Sequence, residues 1–326
     1  MRRTLALELV HATESAAIAA ARRMGRGEER ATFLAAADAM RAALEAARLE
    51  GRCIIGPAEA DVPHEVALGA ASGGDPAGAG DGRLDLTAIP LEGTGACAAG
   101  DPNALSVLVA TRAGDTRRVP PVYMDKIAVG PGAVGVVDID APPADNLAKI
   151  ARALGTKVGE LTVAILDRPR HRELIRKVRE CGARIRLIKD GDVSAALATL
   201  IPTSGLDVLM GVGGALQGMI AATALRCGGG DVQARLVLAN ADDRHAAEVA
   251  GFAADGILTL DSFSSGDAIV AATGVTFGDS LRGVRFRRGR AVTHSMVVRA
   301  QTGTLRFIES HVRMDVLERN ETSPGP

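Results

Sequence analysis

Helices and strands that alternate along the chain predict an α/β fold, α+β layered, for these 326 residues. Three observations carry that class. The alanine-rich segments Thr4 to Met24 and Arg30 to Leu49 repeat apolar residues at helical spacing, so propensity and pattern agree. From about Ala141 onward, short runs of Val, Ile and Leu alternate with helical stretches. Polar motifs recur where those runs stop, which is where open α/β sheets place ligands.

Taken in order, the two N-terminal helices precede a short strand at Cys53-Ile54-Ile55-Gly56 and a Gly/Ala/Asp-rich excursion from Gly69 to Gly82. Leu84 to Ile89 and Ala104 to Ala110 read as neighbouring strands joined by a Pro/Gly turn. Helices are expected at Asn146 to Leu154 and Arg172 to Cys181, and strands at Leu161 to Leu166, Ile185 to Ile188 and Leu206 to Met210. Asp167-Arg168-Pro169-Arg170, Lys189-Asp190-Gly191-Asp192 and Gly211-Val212-Gly213-Gly214 follow those three strands. The glycine stretch, ahead of a helix near Leu216, reads either as a tight turn or as a loop offering backbone N–H groups to an anion. Gly283 to Arg290 and Val292 to Arg299 read as strands, the first a solvated edge carrying Arg285, Arg287, Arg288 and Arg290 beside Arg282. Glu321 to Pro326 is a polar tail. The change of texture divides the chain at residues 1–140 and 141–326.

Composition excludes several classes. With Lys+Arg at 38 and Asp+Glu at 39, no global field favours nucleic acid or an anionic membrane surface. One Tyr, six Phe and no Trp leave little for base stacking. No run is long and apolar enough to span a bilayer, so cytoplasmic residence is expected. Cys53, Cys97, Cys181 and Cys227 are scattered without metal-ligand spacing and read as reduced thiols.

The most specific sequence feature is Ile89-Pro90-Leu91-Glu92-Gly93-Thr94. It reads like the metal-phosphatase signature Asp-Pro-[Ile/Leu]-[Asp/Glu]-Gly-[Ser/Thr] with isoleucine in place of the leading Asp. Around it lie Thr13-Glu14-Ser15-Ala16-Ala17, Gly25-Arg26-Gly27, Pro121-Val122-Tyr123-Met124-Asp125-Lys126, Arg168-Pro169-Arg170-His171, Asp190-Gly191-Asp192-Val193, Gly211-Val212-Gly213-Gly214-Ala215 and Ala272-Thr273-Gly274-Val275-Thr276. In this order the chain resembles the class II fructose-1,6-bisphosphatases, from Met1 to about Glu309. That resemblance implies the lithium-sensitive sugar-phosphatase fold, with alternating helix and sheet layers (αβαβα), and a Mg- or Mn-dependent hydrolysis of a ketose bisphosphate.

Carried over residue by residue, the resemblance divides. Phe33, Pro57, Ile89 and Gln217 stand where metal ligands are expected, and Glu92 alone keeps a ligand carboxylate. Phe, Pro and Ile have no side-chain donor for a hard cation. The substrate positions Glu92, Gly93, Thr94, Tyr123, Arg168, Pro169, Arg170, Asp190, Gly191, Asp192 and Gly214 are all present. Arginines suit phosphate, and paired Asp side chains accept from vicinal hydroxyls. Asp61, Thr94, Glu59 and Glu92 form the expected acid/base set, the Asp61/Thr94 pair orienting an attacking water. Lys126 adds a charge nearby. His171 reads equally as a phosphate contact or a structural residue, while Tyr123, a core residue by default, is tipped toward substrate contact by the match of its Tyr-Met-Asp-Lys context to the family.

These readings lead to the expectation of an enzyme acting on a phosphorylated sugar or sugar-like metabolite by metal-independent acid/base chemistry, of isomerase, epimerase or lyase type. No metal and no cofactor is expected on that reading. One alternative is a residual Mg- or Mn-dependent sugar bisphosphate phosphatase holding one cation between Glu92, Glu59 and Asp85. Another is a non-catalytic sugar-phosphate sensor or partner of an intact paralogue. A homo-dimer or tetramer is expected, with neither nucleic acid nor membrane as partner.

Overall fold

The structure, a computed structural model, describes residues 1, 4–49, 51–55, 64–68 and 83–316. Two compact units are formed. The first comprises Met1–Ala113, Ile269–Val298 and the residues from Leu305 on; the second comprises Gly114–Ala268 and Arg299–Thr304.

The first unit begins with α1 (Leu5–Ala21) and α2 (Glu29–Ala46). Alanines at Ala12, Ala16, Ala17 and Ala20 let α1 pack closely, and it is buried over most of its length. Helix α2 buries Thr32, Ala36, Met40, Ala43 and Leu44, a single stripe at helical spacing. β1 (Gly51–Ile55), β2 (His64–Leu68), β3 (Leu84–Glu92), α3 (Thr94–Ala99) and β4 (Leu105–Arg112) follow. β1 pairs antiparallel with β2 and parallel with β3, and β3 pairs antiparallel with β4. Every residue of β3 is buried.

The second unit runs through β5 (Tyr123–Val129), α4 (Pro143–Ala153), β6 (Thr162–Leu166), α5 (Arg172–Glu180), β7 (Arg184–Ile188), α6 (Asp192–Thr199), β8 (Val208–Gly214), α7 (Ala215–Gly228), β9 (Asp231–Val237) and α8 (Ala241–Val249). Its described strands form one sheet in the order β7-β6-β8-β5-β9. The β7-β6-β8 part is parallel, and β5 is antiparallel to both β8 and β9. Ile127 and Val129 of β5 share a core with Leu147 and Ile150 of α4 and Ile175 and Val178 of α5. The alternating residues Met124 and Lys126 point the other way, towards α7 and α6. Helices therefore cover both faces of this sheet.

The chain then returns to the first unit with β10 (Ala268–Gly274), β11 (Arg285–Arg287), β12 (Arg290–Arg299) and β13 (Thr304–Arg313). Among the described residues this completes an eight-stranded sheet, β11-β12-β10-β4-β3-β1-β2 with β13 paired to β12. Beneath it, Thr13 bonds Thr273 at 2.8 Å, Thr273 bonds Ser295 at 2.8 Å, and Thr293 donates to Glu14 at 2.8 Å. β11 is exposed at the sheet's end, the solvated edge its arginines predict.

The layered α/β class is as expected, with two local differences and a different division of the chain. The halves expected at 1–140 and 141–326 give way to a split after Ala113, because β5 finds its partners in β8 and β9. The return of β10–β12 makes the first unit discontinuous. The Ile89–Thr94 segment is not a turn, since β3 continues through Leu91 to Glu92. Its register with β4 shifts between Ile89 and Glu92, and Pro90, which has no N–H for a ladder, sits in that irregularity. Gly211 to Gly214 is not a loop either but the last four residues of β8, with α7 starting at Ala215.

Candidate functional site

On the first unit, the end of β3 sets three of the expected residues in place. Glu92 lies opposite Leu105 and is buried. Gly93 turns strand into helix with φ 74°, a left-handed conformation that costs a side-chain-bearing residue energy. Thr94 then opens α3, and its hydroxyl donates to the Leu91 carbonyl at 3.2 Å. Ile89 is 2% exposed, and Phe33 packs against the same unit's apolar core. Both positions, where the resemblance leads one to expect metal ligands, are thus part of the packing.

Asp85 does not belong with Glu92. They stand seven residue steps apart along β3, about 23 Å at the usual rise. Asp85 is instead paired with Arg52, Oδ1 lying 3.1 Å from Nη2. Glu59, Asp61 and Pro57 lie outside the described residues.

On the second unit, β8 organises the remaining positions. β6 pairs with β8 only at Val208 and Leu209. Further along, side chains take over from the neighbouring strand. The N–H of Val212 donates to His171 Nε2 at 2.8 Å, and the Val212 carbonyl accepts from Arg170 Nε at 3.1 Å and Nη2 at 2.8 Å. Two consecutive residues of the Arg168-Pro169-Arg170-His171 motif thereby dock on one backbone unit.

His171 is structural. Because Nε2 accepts from an amide, the ring proton sits on Nδ1 and is donated to Leu166 O, 2.7 Å away. Burial of the ring holds its pKa below the ordinary imidazole value, with the Arg170 charge acting in the same direction. The absence of a Cβ at Gly211 is part of this packing: one there would lie 2.8 Å from Nε2.

Arg170 itself is exposed, its guanidinium 4.9 Å from the centre of the Tyr123 ring. Tyr123 is 55% exposed, so the chain's single tyrosine is not a core residue. It lies directly across from Gly214. A Cβ at Gly214 would collide with the side-chain oxygen of Gln217, the residue three positions into the helix. Pro169 opens the short turn that carries Arg170, and Arg168 donates to the Asp167 carbonyl at 3.3 Å.

The Asp190-Gly191-Asp192 motif joins β7 to α6. Asp190 is half-buried, and Gly191, at φ 87°, precedes the first helical residue, Asp192. Asp192 Oδ2 lies 2.7 Å from Lys126 Nζ, with both side chains under 9% exposed. A Cβ on Gly213 would lie 2.6 Å from that ammonium and would overlap the Asp192 carboxylate. The structure therefore brings together Tyr123, Arg170 and Gly214, and separately Lys126, Asp192 and Gly213. The role of Gly213 and of the Val212 backbone is not visible in a pattern of apolar residues; the clustering of glycines was the available signal.

Three of the four thiols are buried. Burial pushes Cys53 and Cys227 up to about 12 and Cys97 up to about 11.

Among the described residues, no three His, Cys, Asp or Glu side chains converge as a set that would hold a metal ion. Glu92 is the one described carboxylate at an expected ligand position, so the described residues do not complete such a site on their own. No helix among them is long and apolar enough to cross a membrane.

Residues 3–312 match the family described as bacterial fructose-1,6-bisphosphatase, glpX-encoded. The chain is 38% identical over 324 residues to fructose-1,6-bisphosphatase 1 class 2 of Escherichia coli (strain K12), covering 95% of each chain. Fructose-1,6-bisphosphatase class 2 of Escherichia coli O6:H1 and of Shigella flexneri match to the same extent. These matches overturn the expectation of a protein without a cofactor, because this class of phosphatase depends on Mg or Mn. By motif order, layered fold and similarity over nearly its whole length, the chain belongs to the class II fructose-1,6-bisphosphatase family.

Proposed function

We propose that this chain is a Mg- or Mn-dependent phosphatase acting on a phosphorylated sugar, a sugar bisphosphate being the substrate class. The observation that carries the reading is the docking of Arg170 on Val212 and over Tyr123, an exposed cation held rigidly beside an exposed ring, in a chain 38% identical to class 2 fructose-1,6-bisphosphatases. Two of the Arg170 N–H groups are used on the Val212 carbonyl, and the others are left for phosphate oxygens.

In this reading Arg168 and Arg170 bind phosphate, with Pro169 setting the turn between them, and Tyr123 and Gly214 flank the sugar. Asp190 and Asp192, held by Gly191, accept from hydroxyls. Gly93 sets the angle between Glu92 and Thr94. Asp61 and Thr94 orient the water, with Glu59 and Glu92 as further carboxylates. Water oxygen bonds to phosphorus, the phosphorus–sugar oxygen bond breaks, and inorganic phosphate and the sugar alcohol leave. A divalent cation, when bound, would supply charge for the phosphate oxygens and would acidify water. The described residues do not complete its ligand set, so the steps assigned here rest on the chain's own side chains. We also propose cytoplasmic residence and a homo-dimer or tetramer, the latter checked by light scattering on the purified protein.

The test is phosphate release from fructose 1,6-bisphosphate and a panel of sugar phosphates, with EDTA and with added Mg²⁺ or Mn²⁺. Release that needs the cation and is lost in Asp61→Asn supports the reading. Substrate consumed without phosphate release overturns it.

A further inference from the structure

The second unit buries an ion pair in which one member, Asp192, has a role assigned above and the other, Lys126, has none. Lys126 stands on β5 between β8 and β9, opposite Gly211 and Ala234. Asp192 is the first residue of α6. Their 2.7 Å contact joins the two elements, with Lys126 Nζ and Asp192 Oδ2 screened from solvent.

This contact is ionic rather than an aligned hydrogen bond: among the described residues, neither Nζ nor Oδ2 has a hydrogen-bond partner. An ammonium carries three donors, and burying it with one charge contact and no other partner is costly. Such a pair is poor evidence for stability alone, since an apolar replacement of similar volume is often neutral. The surroundings nevertheless make room for it. Gly213 lies two residues from Gly211 on the same face of β8, and its missing Cβ is the space the two charged tips occupy.

We infer that Lys126 is a positioning residue for substrate recognition, acting through Asp192. The ammonium takes Oδ2 and fixes the carboxylate's rotation and charge, which leaves the other oxygen to accept from a sugar hydroxyl. Lys126 does not touch the substrate. The arrangement also ties the Asp190-Gly191-Asp192 turn to β5, whose first residue is Tyr123. This inference rests on the proposed function and names a further residue for the same site.

The test compares wild type, Lys126→Met, Asp192→Asn and the double variant, using fructose 1,6-bisphosphate with Mg²⁺ or Mn²⁺ present. KM and kcat are measured separately, alongside melting temperature. Lys126→Met is expected to raise KM about tenfold or more, the scale of a charge-assisted hydrogen bond, with kcat changed much less. Asp192→Asn, which keeps the shape of the side chain, is expected to raise KM similarly. In the double variant the two effects are expected not to add. A folded Lys126→Met with wild-type KM, or additive effects, overturns the positioning role while leaving the phosphatase reading intact. If Lys126→Met does not fold, Asp192→Asn with a normal KM overturns it equally. A wild type that neither binds nor hydrolyses sugar phosphates overturns both.

Discussion

Replacing His171 with Phe isolates one of the two contacts that hold the arginine motif to β8, the other being made by Arg170. The ring makes two hydrogen bonds, and they do not carry equal weight. Leu166 O keeps the N–H of Arg168 at 2.9 Å, so its loss of His171 costs little. The N–H of Val212 depends on Nε2, and leaving such a group unpaired in a partly buried position costs about 1–3 kcal/mol. Urea unfolding of His171→Phe at pH 7.5 is therefore expected to show a loss of that size. The pH dependence adds a second readout. Because burial lowers the folded-state pKa of His171, the unfolded chain binds a proton that the folded chain does not, between the ordinary imidazole value of about 6.5 and the lowered one. Stability from this group is complete above the ordinary value and is lost as pH falls through that window. His294 has the same sign, again mainly from burial, so wild type carries both slopes. His171→Phe should flatten part of the acid loss and His294→Phe a separate part. If His171→Phe unfolds at the wild-type urea concentration and its pH slope is unchanged, the ring is not the anchor and the argument fails.

Arg170→Lys removes the fork that grips Val212 O and weakens the stacking on Tyr123, so steady-state kinetics should show KM raised about tenfold while the melting temperature stays within a few degrees. Gly93→Ala puts a side chain on a left-handed residue, with its Cβ 3.2 Å from Ala104 Cα; thermal unfolding should report a loss of about 1–2 kcal/mol. Thr94→Val keeps volume but removes the hydroxyl, and kcat for phosphate release should fall by about a hundredfold with little change in KM, a split that initial-rate kinetics would detect. Dialysis against EDTA should abolish phosphate release, and titration with Mn²⁺ or Mg²⁺ should restore it.

What the sequence revealed follows from how far each signal reaches along the chain. α1 and α2 are local: alanine content and a 3.6-residue stripe suffice, and their bounds fell within three residues of the expected ones. β6 and β7 were legible for the same reason. β5 was not assigned, although every residue from Met124 to Val129 pairs with both β8 and β9, because those partners lie about 80 and 110 residues away along the chain and pairing at such range leaves no local trace. The end of β8 was hidden more thoroughly. Met210 to Gly214 contains three glycines, and glycine in a strand lowers any pattern-based expectation. Those glycines serve side chains from elsewhere: His171 against Gly211, the Lys126–Asp192 pair against Gly213, and Gln217 against Gly214. A glycine cluster that reads either as a tight turn or as an anion-holding loop is here a strand stripped of side chains so that polar groups can pack across it.

The cation is the instructive misreading. Phe33 and Ile89 carry no ligating side-chain atom and are built into the packing of the first unit. What does not follow is the step from four expected ligand positions without a carboxylate to no cofactor. Mg²⁺ gives up its waters reluctantly and is commonly held by one or two carboxylates together with water and the substrate's own phosphate oxygens, so a tally of protein carboxylates sets no lower limit on metal dependence. On the proposed reading Glu92 would supply a carboxylate to that cation. Glu92→Gln keeps size and hydrogen-bonding capacity while removing the charge. Phosphate release by this variant should demand at least tenfold more Mg²⁺ for half-maximal rate, a shift on the scale of one lost charge contact. An unchanged Mg²⁺ requirement in a folded Glu92→Gln would move the cation away from the end of β3.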